Sequence, residues 1–429
     1  MEGAVRIPGL VLRDHCFRVP LDHVRPEGEQ IEVYAREVVA PGREGDDLPW
    51  LLYLQGGPGY QAPRPESRSG WLKRALADYR VLLFDQRGTG RSAPVNHQTL
   101  ARFGTAEAQA EYLIHFRADT IVRDAELIRR QLLGTEEKWS LLGQSYGGFC
   151  IATYLSFAPQ GLREAIITGG LPPIGRTFDE VYRATYRRVI EQNRRYFDRY
   201  PADQARAREV VDYLRSHRVL LPGGGPLSPR RFQGLGWPFG LRNGFEIVHY
   251  LLESAFVEGV SGRELCYAFL RGVHECEPFE TDPIYALLHE PIYCEGSASN
   301  WSAERARAEF PEFDLDAGGP VIFTGEMVYP WMFDECERLR PLKEAAEILA
   351  RYESWPPLYD REQLRANQVP CVATVYYDDM YVEQRFAEET ASLINGTRIW
   401  LTNAHDHSGL RMDGEKVLGR LLDMLRGEI

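Results

Sequence analysis

No run of apolar residues in this chain approaches the length of a membrane span, and the stretch from Met1 to Leu12 has no apolar core of the kind a secretion signal needs. Neither an anchor nor export is therefore expected. Cysteine is sparse: there are seven in 429 residues, scattered, odd in number and with no C-x-x-C pair. A disulfide framework is not expected from them, and a reducing cytoplasm fits best. Positive charge is short as well, with 50 Lys and Arg against 62 Asp and Glu and a net charge of −12. That excess argues against nucleic acid and against anionic membrane surfaces as partners. Asn300-Trp301-Ser302 and Asn395-Gly396-Thr397 match glycosylation acceptors, which carry no weight without export. Repeats and low-complexity segments are absent.

What is present is ordinary for a globular protein, 44% hydrophobic and 26% charged. The length is too great for one compact core and implies two domains, or one domain with a large insertion. His15 to His23 and Ile31 to Ala40 read as a hairpin. Trp50–Leu54, Arg80–Phe84, Trp139–Leu142 and Glu164–Thr168 read as short buried strands. Helical patterns lie between them, near Trp71 to Ala77 and as one long amphipathic helix from Ala106 to Leu133. Apolar strands alternating with helices predict an α/β fold with a mostly parallel sheet covered on both faces.

From about residue 174 to 365 there is almost no strand signal. Helices are predicted over 179–199, 204–218, 245–256, 263–275 and 334–352, separated by Gly- and Pro-rich loops. Strand signal returns at Val369 to Tyr377 and Thr397 to Leu401, with a last helix over 414–426. The predicted layout is a core of residues 1–173 and 366–429 around an inserted helical unit, 174–365.

The most specific stretch is Leu141-Leu142-Gly143-Gln144-Ser145-Tyr146-Gly147-Gly148. A buried strand, a Gly-x-Ser-x-Gly turn and a helix-compatible run, Phe149 to Phe157, form the context of a nucleophile elbow. Such a turn presents a serine hydroxyl at the sheet's carboxyl edge and aims the next N–H, that of Tyr146, at the same place. A chance Gly-rich turn is the bland alternative, and the preceding strand and second glycine weigh against it.

A serine needs a histidine to take its proton and a carboxylate to orient that histidine. Asp378-Asp379 and His405-Asp406-His407 each follow a late strand, at the carboxyl end where an open α/β sheet carries its site. On the residues alone the choice within each group stays open. The histidines also match a surface loop or half a metal site, but no further His or Cys cluster supports a metal. Gln55-Gly56-Gly57-Pro58-Gly59 follows Leu54, where a second oxyanion donor is due. Gly88 to Ala93 fits a loose dinucleotide pattern, but Pro94 follows where a helix should begin, so no pyrophosphate site is expected.

Together these motifs resemble the proline iminopeptidases (prolyl aminopeptidases) of the α/β-hydrolase superfamily. The family signatures H-G-G-P-G, D-Q-R-G-x-G-x-S and G-Q/G-S-W/Y-G-G appear in order as Gln55 to Gly59, Asp85 to Ser92 and Gly143 to Gly148. Gln55 departs from the usual histidine. The resemblance implies an α/β-hydrolase core with a helical cap, a catalytic triad of Ser145, Asp379 and His407, and an oxyanion hole from the N–H groups of Gly57 and Tyr146. Asp379 is preferred to Asp378 by spacing, although Glu383 stands where the family has proline, and His407-Ser408 fits better than His405-Asp406. The implied substrate is a small peptide with a free N-terminus and the implied reaction is release of an N-terminal proline. No cofactor or metal is implied.

An aminopeptidase must also hold a cationic amine. Glu326, in the apolar stretch Phe323-Thr324-Gly325-Glu326-Met327, and Glu246 are the candidates, with Glu253 beside them. A cap ion pair is the competing role for each. The rival functions are an esterase or amidase without amine recognition, which would accept blocked substrates, and a catalytically silent binding protein of the same fold, against which the serine, histidine and aspartate candidates argue.

Overall fold

The computed structural model describes residues 3–260 and 262–429. One sheet of nine strands runs through the core. In chain order they are β1 (Val5–Ile7), β2 (Leu10–Pro20), β3 (Gln30–Val39), β4 (Trp50–Leu54), β5 (Arg80–Phe84), β6 (Trp139–Gln144) and β7 (Leu162–Thr168). After a further pair, β8 (Phe256–Gly259) and β9 (Gly262–Leu265), come β10 (Cys371–Tyr376) and β11 (Thr397–Thr402). The spatial order is β1-β2-β3-β5-β4-β6-β7-β10-β11. The first three strands pair antiparallel, β3 meets β5 antiparallel, and β5 through β11 are parallel.

The central strands are apolar throughout because both faces are covered. Leu51, Tyr53, Leu142, Ile166 and Val372 pack with Leu72, Val417, Leu418 and Leu421, from the helices Gly70–Ala75 and Gly414–Arg426. Their neighbours Leu52, Leu54, Leu141, Ala165 and Ile167 point the other way, against Ile121, Ala125 and Ile128 of helix Ala118–Leu133 and Ile151 and Leu155 of helix Tyr146–Phe157. This is the period of two that pleated strands impose. The chain passes from β4 to β5 on one side and then crosses back to β6 on the other, so the strand order reverses between β4 and β6. A crevice opens at the carboxyl ends there.

Between β7 and β10 the chain is mostly helical. The longest helix, Phe178–Arg199, starts at a capping box in which Thr177 and Glu180 satisfy each other's backbone N–H groups. Three expectations need correction. The stretch is not free of strands: β8 and β9 form a two-stranded antiparallel unit, with Arg263 lying over the ring of Phe256, and the helix expected from residue 263 begins only at Tyr267. The helix expected over 334–352 is broken, because Pro341 cannot continue one, and it resumes as Lys343–Arg351.

The third correction concerns the helix predicted over 106–133, which is two, Ala106–Leu113 and Ala118–Leu133. Arg117 explains the interruption. It is fully buried, and its guanidinium donates to the carbonyls of Pro291 (2.9 Å), Cys294 (2.6 Å) and Pro356 (2.9 Å). Its backbone is extended, at φ −105° and ψ −179°, so tertiary hydrogen bonds override helix propensity at this one residue. Among the described residues, no helix is long and apolar enough to cross a membrane.

Candidate active site

Ser145 sits between β6 and helix Tyr146–Phe157 at φ 53° and ψ −124°, a conformation rare for any residue with a side chain. Packing holds it there. Its N–H donates to the carbonyl of Thr168 (2.9 Å), and its own carbonyl accepts from Gly148 (2.7 Å). Helix and sheet approach so closely that a Cβ on Gly147 would lie 2.0 Å from the carbonyl oxygen of Leu54. Gly147 is therefore required by contact with β4, while a Cβ on Gly143 would meet the backbone of Gly147 (2.5 Å) and one on Gly148 the carbonyl oxygen of Gly170 (2.3 Å).

Tyr146 is the first residue of the helix, so its N–H has no intrahelical partner and faces the serine's end of the turn. Gly57 lies across the crevice at φ 131°, a backbone state glycine tolerates. The loop that carries it is held from below. Gln86 Nε2 donates to the carbonyl of Gln55 (3.1 Å), and Tyr53 donates its hydroxyl to Gln55 Oε1 (2.9 Å). Where the family has histidine, the glutamine side chain is thus turned onto β4. The motif Asp85 to Ser92 is scaffolding for the same loops. Asp85 accepts from the N–H groups of Ala62 (3.1 Å) and Arg91 (2.9 Å), and Arg87 forms a fully buried ion pair with Asp124 (2.6 Å).

Asp379 and His407 meet at the ends of β10 and β11. His407 Nδ1 lies 2.7 Å from Asp379 Oδ2, and both are buried. The other carboxylate oxygen accepts from the N–H groups of Tyr381 (2.9 Å) and Val382 (3.0 Å), so the aspartate's orientation is fixed from the backbone. Burial alone would push the His407 imidazole down. The charge and hydrogen bond of Asp379 outweigh it and hold the pKa above the ordinary histidine value, with Glu326 adding in the same direction. The turn Gly169–Gly170 separates histidine from serine. A Cβ on Gly170 would stand 2.1 Å from the Ser145 carbonyl oxygen, and one on Gly169 would stand 3.4 Å from His407 Cε1. Asp378 points elsewhere: its carboxylate is 3.5 Å from Arg195 and its carbonyl accepts from Gln192. His405 makes a ring contact with Trp400 instead.

An aromatic wall leads from the histidine into the inserted helices. The Tyr381 ring stands edge-on to His407 (4.9 Å between centroids), and its hydroxyl donates to the carbonyl of Trp237 (2.7 Å). Trp237 Nε1 donates to the Tyr285 hydroxyl (3.0 Å), which in turn donates to Glu326 Oε1. Tyr60, three residues after Gly57, closes against Tyr285 at 5.4 Å. Glu326 keeps part of its surface open to this space, yet atoms crowd it on every other side. Burial pushes its carboxyl up to about 7, against the Tyr285 hydrogen bond and the pull of His407.

Glu326 is thus brought to the histidine and Glu246 is not. Glu246 pairs with Arg199 (2.8 Å) and Tyr200 (3.2 Å), with its side chain 35% exposed, because its helix Gly244–Glu253 packs that face against Phe178–Arg199. Sequence reasoning singled out none of Tyr60, Trp237, Tyr285 and Tyr381. Only Tyr381 had a local signal, two residues after Asp379 at a strand end. Among the described residues no three of His, Cys, Asp and Glu gather at metal-ligand spacing.

Comparison with known proteins gives this geometry its context. The α/β hydrolase fold family matches residues 49–252. A proline iminopeptidase of Aeromonas sobria is 51% identical over 98% of this chain and 98% of its own length. One from Aspergillus aculeatus is 35% identical, covering 96% of this chain and 93% of its own. The solved structure of a Mycobacterium smegmatis proline iminopeptidase is similar at a TM-score of 0.45 and 14% identity, over 96% of this chain and 98% of that one.

Proposed function

Since the chain belongs to the proline iminopeptidase family of the α/β-hydrolase superfamily and is a prolyl aminopeptidase, we propose that Ser145, His407 and Asp379 are its catalytic triad and that Glu326 receives the substrate's amino group. In this reading Ser145 Oγ attacks the carbonyl carbon of the N-terminal residue while His407 Nε2 takes the hydroxyl proton. The N–H groups of Gly57 and Tyr146 stabilise the oxyanion. His407 then gives the proton to the leaving nitrogen, the C–N bond breaks, and a prolyl ester of Ser145 remains. Water, deprotonated by the same histidine, releases proline and restores the serine. Asp379 holds the imidazole by Nδ1 and stabilises its cation.

The observation that carries this reading is the 2.7 Å contact between His407 and Asp379, across one glycine turn from a serine held at φ 53°. Residues 174–365 act as the cap: they supply Trp237, Tyr285 and Glu326, and with them selectivity for a small residue with a free amine. The substrate is a short peptide and the enzyme works in the cytoplasm, as seven scattered cysteines with no C-x-x-C pair suggest. A free-amino prolyl amide, its N-acetyl form and a simple ester make the test. The first should be cleaved far faster than the second, Ser145→Ala should abolish cleavage by on the order of a million-fold, and a serine-directed phosphonate should label position 145. Label elsewhere, or equal rates on the acetylated substrate, would overturn the reading.

A further inference from the structure

The triad geometry divides the space around Ser145 in two. The acyl part of the substrate must extend toward Glu326 and the aromatic wall. The leaving nitrogen must face the group that protonates it, so the leaving chain departs on the histidine's side.

A second cavity, of about 560 Å³, lies at the ends of β4 and β6 and beside the segment that follows His407, and the reaction described above does not use it. Gln55 and Gln144, the residues at the ends of β4 and β6, form one wall. Gln61 and Arg64 of the loop after the oxyanion glycine form another. Residues 63–72, including the start of helix Gly70–Ala75, form most of the rest, and the short helix Gly409–Met412, which begins two residues after His407, contributes Leu410 and Arg411.

Two arginines face this cavity, and their situations differ. Arg64 is committed to the buried carboxylate of Asp85 (2.8 Å). Arg411 is exposed, and among the described residues its guanidinium makes no ion pair, hydrogen bond or ring contact. Arg411 lines the cavity from the short helix four residues beyond His407. Glu66 is the one carboxylate of the lining; it is exposed and is not paired with Arg411.

We propose that this cavity receives the residues on the leaving side of the scissile bond, and that Arg411 pairs with their free C-terminal carboxylate, which makes di- and tripeptides the preferred substrates. Position supports it, since the cavity adjoins both the strand end that bears Ser145 and the segment that bears His407. Chemistry supports it too: an open, unpaired guanidinium four residues beyond the histidine matches a carboxylate bidentately. The polar amides of Gln55, Gln61 and Gln144 suit the peptide group between. The proposal rests on the roles assigned to Ser145 and His407.

The test compares kcat/KM for prolyl-alanine and prolyl-alaninamide in the wild type, Arg411→Gln and Arg411→Lys. The wild type should favour the free acid about ten- to a hundred-fold, the range of a charge-assisted contact. In Arg411→Gln that ratio should collapse toward unity, and Arg411→Lys should restore part of it. A wild-type ratio near unity, or one that Arg411→Gln leaves intact, would overturn the assignment. Ser145→Ala with a prolyl anilide, which has no carboxylate, reads the underlying triad separately. Anilide cleavage persisting there would overturn the triad and the leaving-side site with it. An inactive Ser145→Ala beside an unaltered acid-to-amide ratio would overturn the role of Arg411 alone.

Discussion

The backbone N–H of His407 donates to the carbonyl of Gly240 at 3.2 Å, so the inserted segment Gly234–Gly240 holds the histidine's loop directly. The contact has no spare room. A Cβ on Gly240 would stand 2.4 Å from the Tyr381 ring, and Tyr381 both flanks His407 and, through its N–H, fixes Asp379. Gly240→Ala should therefore displace the ring and the histidine together. The expected cost is about 1–3 kcal/mol of stability and, through a small misplacement of the base, roughly a hundred-fold in kcat. Urea unfolding and steady-state kinetics measure the two, and a wild-type kcat would show that the loop tolerates the shift.

The two neighbouring aspartates should separate cleanly. Asp379 accepts three hydrogen bonds in the site, while Asp378 faces Arg195 at the cap edge. Asp379→Asn keeps the shape but presents the wrong tautomeric partner to His407, and kcat should fall by about ten-thousand-fold. Asp378→Asn should fall by far less. The reverse ranking would move the triad by one residue.

Arg117 ties helix Ala118–Leu133 to the segments around residues 291–294 and 356, and its loss should be felt mainly there. Arg117→Met fills the stem's space but removes the charged donor from the carbonyls of Pro291, Cys294 and Pro356, of which Pro291 keeps the N–H of Cys294 (3.1 Å). Stability should drop by about 1–3 kcal/mol, the cost of leaving a buried acceptor unsatisfied. Arg117→Lys should recover little, since one ammonium cannot reach the three carbonyls as the planar fork does. Limited proteolysis should cut the variant first near residues 291–294 and 356. Uniform protection with an unchanged melting temperature would show that other contacts seat the cap.

How much of this was readable in the sequence follows from where each group sits. Ser145, Asp379 and His407 each follow an apolar strand by a few residues, and β4, β6, β7 and β10 are apolar because they are covered on both faces. Strand ends were therefore visible, and with them the α/β fold. Glu326 stood out because a carboxylate in an apolar stretch is costly. Glu246 looked similar on its helix, and only the turn of Gly244–Glu253 against Arg199 decides that its carboxylate faces another way. Long-range contacts left no local trace. The break at Arg117 depends on carbonyls some 170 and 240 residues away in the chain. Trp237, Tyr285 and Tyr381 were three aromatics among many until the fold stacked them. The β8–β9 pair was hidden by an amphipathic pattern that also suits a helix.

Glu326 should make substrate recognition depend on pH in a way that catalysis alone does not. Its carboxyl is raised to about 7, chiefly by burial, so below that value the free enzyme presents a neutral acid that cannot pair with an ammonium. For a free-amino prolyl amide, KM should fall as pH rises through about 7, and kcat/KM should rise with both Glu326 and His407. The histidine must be neutral to act as base, and its pKa lies above the ordinary value, so its limb rises over a neighbouring interval. An uncharged ester reports the histidine alone. Glu326→Gln should lower the ratio of kcat/KM for the prolyl amide to that for the ester by about ten- to a hundred-fold above pH 7, and should erase the pH dependence of that ratio. Stability should move in the opposite sense. A carboxyl whose folded pKa is above its unfolded value favours folding fully below about 4.5, and that contribution is lost as pH rises toward 7. Glu326→Gln should then gain on the wild type at pH 8 relative to pH 5, by at most about 3 kcal/mol and less where water enters the pocket. A parallel loss on amide and ester, with no such pH-dependent gain, would instead mark Glu326 as a structural partner of Tyr285.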